Sequence, residues 1–422
     1  MNSRKPKSNP YAVWQIKDFR FFLFGRFFIT LATQMQAIIV GWQVYELTKD
    51  VFSLGMIGLA EAVPFIFVSL FSGYVADIVR RKHIIMISAS FFFITSGALF
   101  LLSSYSSGVL VLYGVTPIFI VIFISGLARG FYFPAQSAFM AQIVPRELYP
   151  NSSTWNSAVW QVAAITGPAI GGLIYGFVGV SASYFGVLIF LSLGFMLFVF
   201  VGSKPLPERK RGETLFSNLS AGIKFVFKHQ IILSALALDM FAVLFGGAVA
   251  LLPAFASEIL NVGPQGLGFL RAAPAAGAVV MSLFLAYRPP MKRSGMILLI
   301  GVTGFGIAYL LFALSANFYL SLFLLFVSGV FDNISVVIRS TILQLLTPDN
   351  MRGRVSAVNS IFIGSSNEIG AFESGLAARL MGLIPSVIFG STMTFITVAT
   401  VFGFAPKIRK LSLKKEINKI TP

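Results

Sequence analysis

Apolar residues in this chain come in unbroken runs of about 20, the length at which an α-helix crosses bilayer hydrocarbon; outer-membrane barrel strands would instead alternate over about 10 residues. Composition agrees, since 56% of the 422 residues are hydrophobic and 11% are charged, whereas a soluble domain carries about a quarter charged residues. The chain is therefore read as an all-α membrane protein. Polar breaks divide the runs into twelve transmembrane spans: 20–45, 52–76, 84–104, 111–143, 154–178, 181–202, 230–256, 264–287, 294–315, 318–346, 354–379 and 383–405. Spans 111–143 and 318–346 are long enough to tilt or protrude. Residues 1–14 are polar and basic, without a short apolar core and small-residue cleavage site, so the first run reads as a span and not a leader.

The formal charge is +17. Of the 32 lysines and arginines, 26 lie in the segments that share a side with both termini, against Lys49 and Arg379 on the other side. By the positive-inside rule both termini are cytoplasmic. The positive charge is thus topological, a basic face beside anionic lipid, and no nucleic-acid partner is expected. Cysteine is absent, and both histidines, His83 and His229, fall in basic loops, so no disulfide, metal site or other cofactor is expected. No nucleophile, base and orienting group occur in a recognisable spacing, which argues against an enzyme.

A loop at 203–229 separates six spans from six. Phe216, Leu219, Ile223 and Phe227 recur there at helical spacing beside Lys224 and Lys228, the pattern of an interfacial amphipathic helix. Sliding the second half over the first by 203 positions places Ser328-Gly329 on Ser125-Gly126, Pro348 on Pro145, Asn359-Ser360 on Asn156-Ser157, Gly370 on Gly167 and Gly375-Leu376 on Gly172-Leu173. An offset of 210 places Gly268, Arg271 and Pro274 on Gly58, Glu61 and Pro64. Two pseudo-symmetric six-helix bundles follow, at 1–202 and 230–405, with the linker at 203–229 and a basic tail at 406–422.

Gly73-Tyr74-Val75-Ala76-Asp77-Ile78-Val79-Arg80-Arg81-Lys82 after span 2 resembles a signature of the major facilitator superfamily, with Arg80 where a second glycine is usual. Gly167-Pro168-Ala169-Ile170-Gly171-Gly172 in span 5 looks like the core of that superfamily's antiporter motif, with Ala163 in place of a preceding glycine. Pro134-Ala135, Val144-Pro145 and Met351-Arg352-Gly353-Arg354-Val355 are similar to the branch holding enterobactin and macrolide exporters. The resemblance implies the major facilitator fold, a central cavity between spans 1, 4, 7 and 10, and export of a small drug-like or siderophore-like molecule against protons. A facilitator without proton coupling is the alternative, and a monomer is expected.

A charge at mid-span costs roughly 3 kcal/mol unless paired or hydrated. Nine stand within the spans: Arg26, Glu61, Arg129, Asp239, Arg271, Asp332, Arg339, Glu368 and Glu373. Arg26 is expected to snorkel to the interface. The repeat suggests that Glu61 and Arg271 form an outer gate and that Arg129 faces Asp332 across the cavity, with Arg339 two turns from Asp332. Proton-coupling candidates are Asp332 and Glu368, then Asp239, Glu61 and Glu373. Gln34, Gln36, Thr33 and Gln136 are placed to orient a ligand, with Phe131, Phe133, Phe241, Phe245 and Phe331 as candidate aromatic walls. The resemblance implies that Gly73, Asp77, Arg80 and Arg81 form a cytoplasmic gate. Gly167, Pro168, Gly171 and Gly172 read as packing and hinge positions.

Overall fold

A computed structural model describes residues 11–104, 106–206, 215–246, 248–348 and 351–420. Among the described residues, twelve long helices cross the molecule. The first half holds α1 Lys17–Thr48, α2 Val51–Ile78, α3 Arg81–Ser104, α4 Thr116–Ile143, α5 Tyr149–Val178 and α6 Val180–Val199. The second holds α7 Gln230–Gly246, α8 Gly263–Tyr287, α9 Ser294–Ala313, α10 Phe318–Leu346, α11 Arg352–Met381 and α12 Leu383–Phe404. Eleven of the crossing segments are long and apolar enough to span a bilayer on composition alone. The other, α11, is 30 residues long but interrupted by Asn359, Ser365, Ser366, Asn367, Glu368 and Glu373. It packs between the halves, against α2, where Ser366 is buried and Asn359, Ser365, Glu368 and Glu373 are partly buried, while Asn367 is exposed.

Local chemistry sets the breaks. Lys49 turns the chain in a left-handed conformation, and Asp50 caps α2 by accepting from the Phe52 amide at 3.1 Å. The apolar run 111–143 is not a single tilted helix as expected. Gly114, at φ 58°, separates a short helix, Ser106–Tyr113, from α4. Span 7, read from sequence as 230–256, is not one continuous α-helix. Beyond Gly246 it continues as a 3-10 turn Ala248–Leu251, an α turn Leu252–Ala254 and a π turn Phe255–Ile259. Pro253 has no amide to continue the ladder, so the break is built into the chain.

The repeat reaches the level of packing. Gly179 (φ 103°) joins α5 to α6, and Gly382 (φ 93°), 203 positions on, joins α11 to α12. A Cβ at Gly126 would meet the Pro64 ring at 2.7 Å, and one at Gly329 would meet the Pro274 carbonyl at 1.8 Å. In both halves a glycine therefore lets a proline-bearing helix approach closely.

The halves meet most closely at the face opposite the termini, here the far face. A Cβ at Gly58 would lie 2.6 Å from the Ala371 side chain, and one at Gly55 would lie 3.0 Å from the Gly375 Cα, closing α2 on α11. Symmetrically, a Cβ at Gly268 would meet the Pro168 carbonyl at 2.6 Å and one at Gly172 the Pro264 carbonyl at 2.4 Å, closing α5 on α8. Buried clusters joining the two halves consist of far-face residues: Ile38 and Trp42 with Leu251, Leu252 and Phe255, and Tyr45 and Leu54 with Ala254. Otherwise each half keeps its own core, one from Val13 to Val201 through the first half and one from Val226 to Leu413 toward the basic side of the second.

Tethers stiffen the basic face. Lys82 donates to the Val199 and Val201 carbonyls at 2.8 and 2.6 Å, and Lys204 pairs with Asp18 at 2.7 Å. The linker contains a helix, Leu215–Lys228, whose Gly222 lies against the Arg354 carbonyl at the start of α11. The tail returns to the α8–α9 connection, where the Lys414 amide donates to the Met291 carbonyl at 3.0 Å.

Candidate functional site

Two ion-pair groups occupy the interior. In the first, Arg129 on α4 binds Glu61 on α2 and, at 3.0 Å, Glu368 on α11. The guanidinium also lies over the Phe65 and Phe133 rings, 5.7 and 5.4 Å from their centroids. Local packing explains the reach across halves. Gly126, one turn before Arg129, brings α4 onto α2 beside Glu61, and Gly58 brings α11 onto the other side of α2 with the Glu368 carbonyl at its surface. Arg271 on α8 stands within electrostatic range of Glu368 and Glu61 and donates to the Val249 carbonyl at 3.4 Å. Two acids and two arginines thus form a group with no net charge where the halves meet.

The second group lies within the C-terminal half. Arg339 on α10 pairs with Asp239 on α7, their residues only 5% and 7% exposed. Asp239, Asp332 and Ser335 line a water-sized void with Ala242, Val243, Val302 and Phe305. Tyr309 on α9 lies within electrostatic range of both Asp332 and Arg271, so the two groups approach each other through it.

These partners correct three sequence-level pairings. Arg129 does not face Asp332, because α4 packs against α2 and its arginine is taken by Glu61 and Glu368. Glu61 and Arg271 do not form a direct pair, although they share one electrostatic neighbourhood. Arg339 does not engage Asp332, since two helical turns separate them by about 11 Å along one axis; Asp239 on the adjoining helix is closer. Arg26 does not snorkel to the interface. Its Nε is buried without a hydrogen-bond partner, near Tyr132 of α4. Phe331 is packing and not cavity wall, its ring pressed on Gly304 of α9, and Phe131 packs on the N-terminal core.

The remaining candidates have varied settings. Glu373 is partly exposed on α11, and among the described residues no cation is paired with it. Gln34 lies against Gly167, Gln36 accepts from the Ser96 hydroxyl, and Gln136 is 2% exposed with its Nε2 unpaired. Thr33 bonds back to the Thr30 carbonyl at 3.0 Å. Phe241 stacks on Phe245 at 6.3 Å. Gly171 lies against Met35 of α1, so the α5 glycines serve contacts on two sides, with α1 and with α8. Near the basic end, a Cβ at Gly73 would meet nothing within 4 Å, Arg80 is exposed, and Arg81 donates to the Ala138 carbonyl at 2.9 Å. The Asp77 side chain lies outside the described residues.

Sequence reasoning did not anticipate the far-face contacts. Tyr45 of α1 donates to Glu258 in the π turn, and Arg379 at the end of α11 sits 4.8 Å from the centre of the Phe52 ring at the start of α2. Both join the halves. Tyr175 donates to Glu46 at 2.6 Å within the first half. Acids at the margins of apolar runs looked like ordinary loop residues, and their partners lie more than 100 positions away.

Comparison with known proteins agrees with this architecture. A family model described as the major facilitator transmembrane secretion effector matches residues 8–418. The chain is 24% identical over 419 residues to the MFS-type transporter YfmI of Bacillus subtilis (strain 168), covering 96% of this chain and 98% of that one. It is 25% identical over 391 residues to the enterobactin exporter EntS of Salmonella choleraesuis (strain SC-B67), covering 92% and 89%. Among solved structures, a POT family transporter in complex with 5-aminolevulinic acid superposes with a TM-score of 0.75 at 12% identity, covering 92% of this chain and 96% of that one. A D-xylose-proton symporter superposes with a TM-score of 0.70 at 15% identity, covering 96% and 99%. The chain is a multi-pass membrane transporter, not an enzyme, and belongs to the transmembrane secretion effector family of the major facilitator superfamily.

Proposed function

We propose that this transporter exports a small amphipathic molecule from the cytoplasm by alternating access, in exchange for protons. In the orientation that the basic loops favour, the far face is external and the structure is the inward-open state. The observation that carries the proposal is Arg129 bound to acids of both halves at the level where the bundles meet. Separating the halves at the external face must part Arg129 from Glu368. A proton on Glu368 removes the charge that holds Arg129 and so frees the outer face to open; taken up from outside in that state and released to the cytoplasm once the inward-open state re-forms and Glu368 regains Arg129, the proton moves inward as substrate moves outward. Asp332, which has no paired cation among the described residues, is the second proton-coupling position. The likeness to an enterobactin exporter supports outward movement of a ring-bearing, drug-like or siderophore-like substrate. One proton per cycle yields about 2.3 kcal/mol per 100 mV, roughly a 50-fold substrate gradient.

The test is reconstitution in liposomes with dyes, macrolides, catecholates and lysophospholipids, following substrate and internal pH together. Substrate movement with a matching counterflow of protons is expected, lost in Glu368→Gln. Flux that persists when the pH gradient is collapsed contradicts antiport and identifies a facilitator.

A further inference from the structure

Arg26 is the cation that the ion-pair groups leave over. Glu61 and Glu368 are taken by Arg129 with Arg271 nearby, and Asp239 is taken by Arg339. Among the described residues no acid is paired with Arg26. It lies nine residues into α1, about 14 Å along the axis from the basic end. An uncompensated guanidinium at that depth is expensive, and in membrane proteins such a group marks a ligand pathway.

Its surroundings are donors. Tyr132 of α4, close enough to interact electrostatically with Arg26, is 3% exposed and its hydroxyl has no hydrogen-bond partner. Gln136, one turn further on the same face of α4, is 2% exposed and its Nε2 is unpaired. The Arg26 Nε is unpaired as well. Three buried groups able to donate hydrogen bonds, one of them permanently charged, thus occupy one patch, and an oxyanion satisfies them together. Arg26 borders the space between the halves, and Tyr132 and Gln136 lie buried behind it in the first half, the Tyr132 ring packed on Phe92 of α3. Arg26, Thr30, Thr33, Ala37 and Gly41 form one stripe along α1, and at its far end Gly41 meets Pro253 of the other half. On α4, Arg129 reaches across to Glu368 from the turn preceding Tyr132.

We propose that Arg26, Tyr132 and Gln136 form an anion subsite in the cavity, which selects substrates bearing a carboxylate, an ionised phenol or a phosphate. This deepens the exporter reading and rests on it for the word substrate. Binding of the anion neutralises Arg26 before the cavity closes behind it.

The test uses purified protein in neutral-detergent micelles, so that no anionic lipid competes, with two matched fluorescent probes that carry no free phenol: 7-methoxycoumarin-3-carboxylate and its carboxamide. Wild type should bind the carboxylate about tenfold more tightly than the amide, the effect of one charged hydrogen bond. Arg26→Gln should lose that preference and keep amide binding, while Arg26→Lys should retain most of it. Tyr132→Phe, which deletes one hydroxyl from a buried ring, should weaken carboxylate binding alone and decides the matter if Arg26→Gln does not fold. Wild type without a carboxylate preference, or Arg26→Gln and Tyr132→Phe proteins that keep it, would overturn the proposal. Binding with the predicted preference but no flux in liposomes would sink the exporter reading and leave the subsite standing. Flux without a carboxylate preference would do the reverse.

Discussion

Arg129 and Arg339 each sit in an ion pair inside the membrane, yet their consequences differ. Arg339 and Asp239 are nearly sealed within one half, so removing one partner strands the other. Arg339→Leu should cost roughly 3–5 kcal/mol, while the double change Asp239→Asn with Arg339→Leu should recover part of that loss; thermal unfolding in detergent measures both. Arg129 is more accessible and bridges the halves, so Arg129→Gln should change conformation more than stability. Its Tm should stay near wild type while thiol reagents reach the far face. The chain has no native cysteine, so single introduced cysteines report that access directly. At this scale the sequence identified every interior charge but not its partners. Repeat alignment equates depth, which is why Arg129 was matched with Asp332; a partner in the membrane plane depends on which helices adjoin, and that is set by Gly58 and Gly126.

The helices meet through glycines where a side chain has no room, and the two cross-half contacts are related by the repeat. Gly58 on Ala371 and Gly268 on Pro168 should therefore respond alike to substitution. Gly58→Val and Gly268→Val each overpack a far-face contact at a cost of about 1–3 kcal/mol. Part of that strain is relieved by parting the halves, so both variants should populate the outward-open state, detected as labelling of a cysteine placed at Trp42. Unchanged protection of that cysteine would show that these contacts do not control closure. Spans were legible in sequence because length and hydropathy alone define them. The break after Gly246 and the kink at Gly114 were not, because an apolar run continues through both. The polar helix α11 was legible as a run between polar breaks, and its alignment with α5 in the repeat agreed, although its hydropathy falls short of that of the other spans.

As a whole, the described residues form two bundles whose shared buried clusters lie at the far face, and in the proposed cycle the Glu61–Arg129–Glu368 group is the bond broken as they rock. The central claim is that the charge on Glu368 sets which face is closed. The most direct measurement is pulsed dipolar spectroscopy on spin-labelled pairs in lipid nanodiscs: Leu47→Cys with Leu380→Cys on the far face, and Ile78→Cys with Tyr287→Cys on the basic face, all at exposed positions. Introducing Glu368→Gln should lengthen the far-face distance and shorten the basic-face one. If neither distance changes, or both change in the same direction, Glu368 does not control alternation and the account is wrong.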